Sequence, residues 1–203
     1  FRTDLALEAA ETARGEAGRL PGVRSRVRSF GSTVVTEVEI LDARGEDALG
    51  RPRGSYVTVE LEKIAPYTLP QAAEVVAGEL RALLRRLEIG QDAEAMVAGL
   101  GNRRVTPDTI GPLAAEHVIA TRHLVGREKS FDGWRPVSVI SPGVLGTTGI
   151  ESAEVVLGAV RRTSPAVLIV VDALAAGNAG RLCRTVQLAD SGISPGSGVF
   201  NAR

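Results

Sequence analysis

Leu168-Ile169-Val170-Val171-Asp172-Ala173-Leu174-Ala175-Ala176 is an apolar run that ends in a single aspartate. Gly99-Leu100-Gly101-Asn102-Arg103-Arg104-Val105-Thr106-Pro107-Asp108 closes an earlier apolar run in the same way. A strand whose last residue is charged puts that charge at the carboxyl end of a parallel sheet, where open α/β folds bind ligands. Two carboxylates facing one another there can activate water for hydrolysis. The competing explanation is helix capping, because each aspartate precedes a predicted helical stretch and its oxygen can accept free first-turn N–H groups. Spacing alone weighs the two equally. A cap needs only one carboxylate, however, and both residues lie in glycine- and alanine-rich surroundings that let a substrate backbone come close.

Working outward, Asp92 to Leu100, Pro136 to Ser141 and Ala166 to Val171 read as strands, and Ile110 to Leu124 and Ile150 to Arg162 as helices. From Leu69, apolar residues at three- and four-residue spacing (Ala73, Val76, Leu80, Leu83, Leu84, Leu87) predict a long amphipathic helix. This alternation predicts an α/β fold, a mostly parallel twisted sheet flanked by helices. Nearer the start, Thr33-Val34-Val35-Thr36-Glu37-Val38-Glu39-Ile40 alternates as a half-buried strand does. With Ser55 to Leu61 it predicts an N-terminal β-hairpin extension across a Gly- and Arg-rich loop, Ala43 to Gly54. Residues 1–32 show weak periodicity, with a helix over Asp4 to Arg14. The expected organisation is one domain over 1–203: an N-terminal segment (1–32), a hairpin (33–61) and a core (69–203).

The 203 residues, 44% of them hydrophobic, can bury one good-sized core. Net charge is zero, so neither nucleic acid nor a membrane surface is an expected partner. Of the 24 basic residues only Lys63 and Lys129 are lysines, which leaves 22 arginines; the skew matches a GC-rich genome better than a function. No apolar run approaches the ~18 residues of a membrane span, and Phe1-Arg2-Thr3-Asp4 does not read as a signal peptide. A soluble, cytoplasmic protein is expected. Cys183, the single cysteine, excludes an internal disulfide and a cysteine-cluster metal site.

Other motifs carry less. Gly99-x-Gly101 begins like a dinucleotide fingerprint, but Arg104 stands where the third glycine belongs. Gly192-Ile193-Ser194-Pro195-Gly196 matches a nucleophile elbow, yet Pro195 has no N–H for an oxyanion; a Gly- and Ser-rich loop over Ser191 to Gly198 is the better reading. His117 and His123, about 240° apart on the predicted helix, do not chelate one metal together.

The resemblance to a known family rests on motifs in order along the chain: Phe1-Arg2-Thr3-Asp4-Leu5-Ala6-Leu7-Glu8-Ala9, Gly99-Leu100-Gly101-Asn102, Thr106-Pro107-Asp108, Gly111-Pro112, Thr121-Arg122-His123-Leu124, Arg135-Pro136-Val137-Ser138, Pro142-Gly143-Val144-Leu145-Gly146, Thr148-Gly149-Ile150-Glu151 and Val171-Asp172-Ala173-Leu174-Ala175-Ala176, then Ser191 to Gly198. Together they closely resemble the germination protease of endospore-forming bacteria. The resemblance implies an atypical aspartic endopeptidase that degrades small acid-soluble spore proteins in the spore core, made as a zymogen and assembled as a homotetramer. It implies a phosphorylase/hydrolase-like α/β fold related to hydrogenase maturation endopeptidases. It puts the catalytic aspartates on Asp108 and Asp172, with no metal and no cofactor.

Family substrates are cut after an acidic residue in a Thr-Glu-Ile-Ala-like sequence. Thr3-Asp4-Leu5-Ala6 is similar, so zymogen self-processing is expected between Asp4 and Leu5, with 1–32 including a propeptide remnant; a helix start capped by Asp4 is the plainer alternative. The acidic preference implies a basic pocket that 22 arginines do not locate, and a solvated loop is the default for Arg103 and Arg104. Family members continue beyond the position of Arg203, so the family's C-terminal part is expected to be missing, and Ser194 stands where they usually carry histidine. Two other functions remain in view: a metal-dependent maturation endopeptidase, for which no histidine after a later strand is evident, and an inactive spore-protein-binding module.

Overall fold

The computed structural model describes residues 3–17, 20–62 and 64–193. In chain order the elements are α1 (Ala6–Ala17), β1 (Val23–Phe30), β2 (Thr33–Ile40), α2 (Ala43–Leu49), β3 (Gly54–Leu61), α3 (Leu69–Arg86), β4 (Ala95–Gly99), α4 (Ile110–Glu116), β5 (Val137–Ile140), α5 (Leu145–Thr148), α6 (Ser152–Thr163), β6 (Val167–Val171) and β7 (Thr185–Ala189). The fold is α/β, with one parallel and one antiparallel sheet. The described chain forms two compact units, one of residues up to Arg86 with Leu174–Ile193 and one of Leu87–Ala173.

The first unit is built on an antiparallel sheet in the order β1-β2-β3-β7. The expected hairpin is present, with β2 and β3 paired from Thr33↔Leu61 to Ile40↔Gly54. Its two faces follow the period of two in the sequence. Val38, Ile40 and Tyr56 turn toward Ala6 and Ala10 of α1 and Leu49 of α2. Val35, Val57 and Val59 turn the other way, toward Val75 and Val76 of α3.

Three features of this unit departed from the sequence reading. Val23–Phe30, within the segment read as weakly periodic, is a strand paired with β2 at all eight positions; as a mostly exposed edge it can carry arginines where a central strand could not. The loop after β2 contains α2, whose first-turn amides of Arg44 and Gly45 donate to the Asp42 carboxylate. Finally, β7 pairs with β3 from Tyr56↔Ala189 to Glu60↔Thr185.

The same unit buries a charged network. Glu8 of α1 is 3% exposed, and its carboxylate accepts the N–H groups of Gly177 at 2.7 Å and Asn178 at 3.0 Å. Arg181 lies beside it at 3.4 Å, donates to both oxygens of Glu11 at 2.8 Å and donates to Glu60 on β3 at 2.6 Å. Burial pushes the Glu8 carboxyl up, but the Thr3 hydroxyl, the two amides and Arg181 outweigh it and hold the group below its ordinary value of 4.5.

The second unit is a three-stranded parallel sheet, β5-β4-β6. Central β4 is buried at every position, as an apolar strand covered on both faces should be. Ala98, Leu100, Ile140, Leu168 and Val170 form one face with Val156 and Val160 of α6, while α4 packs against β4 and β6. α4 is shorter than the predicted 110–124 and ends at Glu116, where His117 Nδ1 lies 2.9 Å from the Leu113 carbonyl oxygen. His117 and His123 therefore do not share a helix, and both are exposed.

Two stability predictions follow from the first unit. Val57→Ala, at a fully buried position, should cost about 2–3 kcal/mol in urea unfolding, whereas Val27→Ala, 61% exposed, should change stability by less than about 0.5 kcal/mol. Because the Glu8 pKa is lowered by folding, its contribution is present above the unfolded value and lost as pH falls through the folded one. Glu8→Gln should therefore cost about 2 kcal/mol at neutral pH, and the gap between wild type and variant should narrow as the pH falls below the ordinary glutamate value, read as urea midpoints across the pH series.

Candidate active site

β4 and β6 run parallel in the register Ala95↔Val167 to Gly99↔Val171. The ladder continues one step, the Leu100 N–H donating to the Val171 carbonyl at 2.8 Å. Asp172 follows directly, so it leaves β6 at the carboxyl end of the sheet. Neighbouring strands lie about 4.8 Å apart, and the chain leaving β4 starts from that distance away.

From Leu100 the chain turns back on itself before reaching Asp108. The Asn102 N–H donates to Asp108 Oδ2 at 2.7 Å, Val105 N–H to the Asn102 carbonyl at 3.0 Å, and Asp108 N–H to the Val105 carbonyl at 2.8 Å. Thr106–Asp108 form a single 3-10 turn with Pro107 inside it. Gly101 adopts φ +121°, and a Cβ there would collide with the Asp108 carbonyl oxygen and come within 3.0 Å of Oδ1. Glycine is thus what allows the loop to fold flat against the aspartate. Asp108 ends half-buried.

A second close approach fixes the floor. A Cβ on Gly111, in the first turn of α4, would lie 2.6 Å from both Leu100 N and Val171 O. The helix start therefore rests directly on the backbone that carries the two aspartates out of the sheet.

Neither aspartate caps a helix. The N-cap of α4 is Thr109, with no side-chain cap bond, and Asp108 directs Oδ2 back to Asn102. Beyond Asp172 no helix begins: residues 173–176 are irregular, and Asp172 Oδ1 accepts the Ala173 N–H at 2.8 Å. Asp172 is also half-buried. Arg103 and Arg104 are exposed, and Arg103 pairs with Glu116.

Asp4 and Leu5 lie in the other unit. The Asp4 N–H donates to the Ala175 carbonyl at 2.8 Å, and Asp4 Oδ2 accepts the Ala175 N–H at 2.7 Å. Gln187 Nε2 donates to the Asp4 carbonyl at 3.0 Å, Leu5 N–H donates to Thr3 Oγ1 at 3.1 Å, and Leu5 is fully buried. Thus the Asp4–Leu5 peptide is enclosed and bonded at both its carbonyl and its amide.

Glu8 lies in the stretch Phe1 to Ala9 that carries the family resemblance, but the sequence assigned it no role; the signal that could have done so is a lone acid among Leu5, Ala6, Leu7, Ala9 and Ala10. The serine motif falls largely on Ser194 to Gly198, outside the described residues. Among the described residues no three His, Cys, Asp or Glu come together as metal ligands, and no helix is long and apolar enough to cross a membrane.

Comparison with known proteins agrees along the whole length. The chain is 43% identical over 206 residues to the germination protease of Caldanaerobacter subterraneus subsp. tengcongensis, covering 100% of this chain and 63% of that protein. It is 42% identical over 213 residues to that of Priestia megaterium, covering 100% and 57%. With the germination protease of Geobacillus sp. (strain WCH70) the identity is 40% over 215 residues, covering 100% and 58%. The chain thus spans somewhat under two thirds of the length of the curated relatives it matches. Since the germination protease family model also matches residues 2–203, the chain belongs to the germination protease family.

Proposed function

We propose that this chain carries the catalytic part of an endopeptidase that starts degradation of small acid-soluble spore proteins during germination, with Asp108 and Asp172 as the water-activating pair. The observation that carries this reading is that both aspartates issue from the carboxyl ends of the paired parallel strands β4 and β6 while neither caps a helix. Family membership supports proteolysis as the reaction. The substrate, the spore-core location, the homotetramer and the zymogen rest on the resemblance.

In the proposed mechanism a water sits between the two carboxyl groups. One, ionised, removes its proton as the oxygen attacks the scissile carbonyl carbon; the other, protonated, donates a hydrogen bond to the carbonyl oxygen as charge develops there. The tetrahedral intermediate then collapses as the carboxyl group that took the water's proton gives it to the leaving amine. The proposed step draws on the two carboxyl groups alone.

Self-processing between Asp4 and Leu5 belongs to the same proposal. Because that peptide is buried and bonded, its cleavage requires residues 3–6 to leave their seat first. N-terminal sequencing of the processed protein should read Leu5; any other new end refutes the site.

The mechanism is tested with a spore-protein peptide, with and without chelator. The chain should cleave it in both conditions. Asp108→Asn and Asp172→Asn should each lower the rate by about 10³-fold while retaining cooperative unfolding. Retained cleavage in both variants overturns the pair; chelator-sensitive cleavage favours the maturation-type enzyme, and binding without cleavage a recognition module.

A further inference from the structure

Hydrolysis between Asp4 and Leu5 creates a charge where the intact chain has none. Addition of water to that bond leaves a carboxylate on Asp4, which departs, and an ammonium on Leu5, which stays. In the intact chain Leu5 is fully buried, and an unpaired ammonium is costly away from water. Its position adds to the cost. Leu5 stands at the start of α1, its carbonyl accepting the Ala9 N–H at 3.2 Å, and the N-terminus of a helix repels positive charge.

A compensating group lies in the same turn. Glu8 follows Leu5 at the spacing that lets a first-turn glutamate reach back to the N–H of the residue that begins the helix. In the intact chain that N–H donates instead to Thr3 Oγ1 at 3.1 Å, and the same hydroxyl helps to hold the Glu8 carboxyl down. Thr3 thus stands between amide and carboxylate, and it leaves with Asp4. The charge balance points the same way. Glu8, Glu11 and Glu60 share the Arg181 guanidinium, which is 2.8 Å from Glu11 and 2.6 Å from Glu60 but 3.4 Å from Glu8. Glu8 therefore has the weakest hold on that cation.

We propose that the ammonium formed on Leu5 by cleavage after Asp4 pairs with the Glu8 carboxylate, anchoring the new end of the processed chain to α1 and, through Glu8, to the turn at residues 177–181. This rests on the self-processing proposed above. Every group involved belongs to the first unit. Glu8 takes the new donor without releasing the old ones, because a carboxylate offers about four lone-pair sites. Oε2 accepts the Gly177 N–H, and Oε1 accepts from Asn178 and Arg181. These partners remain after cleavage and keep water from that side of the pair.

The test uses the chain beginning at Leu5, released from an N-terminal fusion by an added protease that leaves no residue behind, so it does not depend on self-cleavage. Urea unfolding at about pH 6.5, where a free α-amine is protonated, is compared for the free and the Nα-acetylated chain, each with and without Glu8→Gln. With Glu8 present, acetylation should raise the unfolding equilibrium constant about tenfold; in the Glu8→Gln chain it should leave the constant unchanged or lower it. An acetylation effect below about twofold with Glu8 present, one equal in both backgrounds, or a shortened chain that does not unfold cooperatively overturns the proposal. If the Glu8→Gln chain does not fold, an NMR titration of the Leu5 α-amine in the unsubstituted shortened chain decides. Glu8, backed by Glu11 and Glu60 and opposed by Arg181 and by Arg51, which donates to the Thr3 carbonyl in the intact chain, should raise its pKa by about one unit above the ordinary range near 8. Burial without a partner lowers that value, so a result at or below the ordinary range also overturns the pair. Failure of the parent reading is distinct: N-terminal sequencing of the unshortened chain would then show no cut after Asp4.

Discussion

The backbone contact between the first turn of α4 and the ends of β4 and β6 is the constraint on which the candidate site depends. Gly111 lies so close to Leu100 and Val171 that even a methyl group would displace one of them. Because the contact is backbone on backbone, its geometry does not drift with side-chain rotamers. The Leu100 to Val171 hydrogen bond sits beneath it and holds the two strand ends in register for one residue beyond the last paired positions. Only past this point does the chain diverge, into the turn that ends at Asp108 on one side and into Asp172 on the other.

A different principle governs the segment after Asp172, where charge rather than packing sets the path. Arg181 meets three glutamates from two elements, Glu8 and Glu11 of α1 and Glu60 of β3. One guanidinium cannot neutralise three carboxylates, and the excess is spread over backbone amides and, at Glu11, over solvent. Such an arrangement is weak evidence for stability, since desolvating charges is costly, and its value lies in selecting one conformation. Asp4 and Glu8 are also separable: cleavage after Asp4 would remove the Ala175 contact and leave the Gly177 and Asn178 contacts on the retained chain.

Legibility in the sequence followed burial. β2, β3, α3 and α6 were read within a few residues because each turns inward a face whose period survives in the residue order, while β4, β5 and β6 were read as short, mostly apolar runs without alternation. β1 escaped because an edge strand tolerates Arg24, Arg26 and Arg28, which erase the apolar alternation. α2 hid in a polar stretch because it is held by a cap at Asp42 more than by an apolar stripe. β7 is short, and Gln187 sits at its centre because its amide serves the backbone of Asp4 and Ala6. The aspartates themselves stood out as charges ending apolar runs, yet the choice between chemistry and capping lay beyond the sequence. Capping depends on where a helix begins, and propensity does not determine a boundary to one residue.

Both aspartates are tied to backbone amides of their own strand exits, Asp108 to Asn102 and Asp172 to Ala173. Neither bond uses a long side chain, so each carboxylate takes its position from the sheet rather than from a flexible neighbour. Gly99, Gly101 and Gly111 serve the same end from inside the unit: all three are buried, and a Cβ on any of them would meet backbone of this unit within 2.1 Å. The glycines are therefore what lets α4 and the turn before Asp108 close directly on the strand ends, main chain against main chain. A larger residue at Gly101 or Gly111 would push the turn or the helix away and release the strand exits from which both aspartates issue.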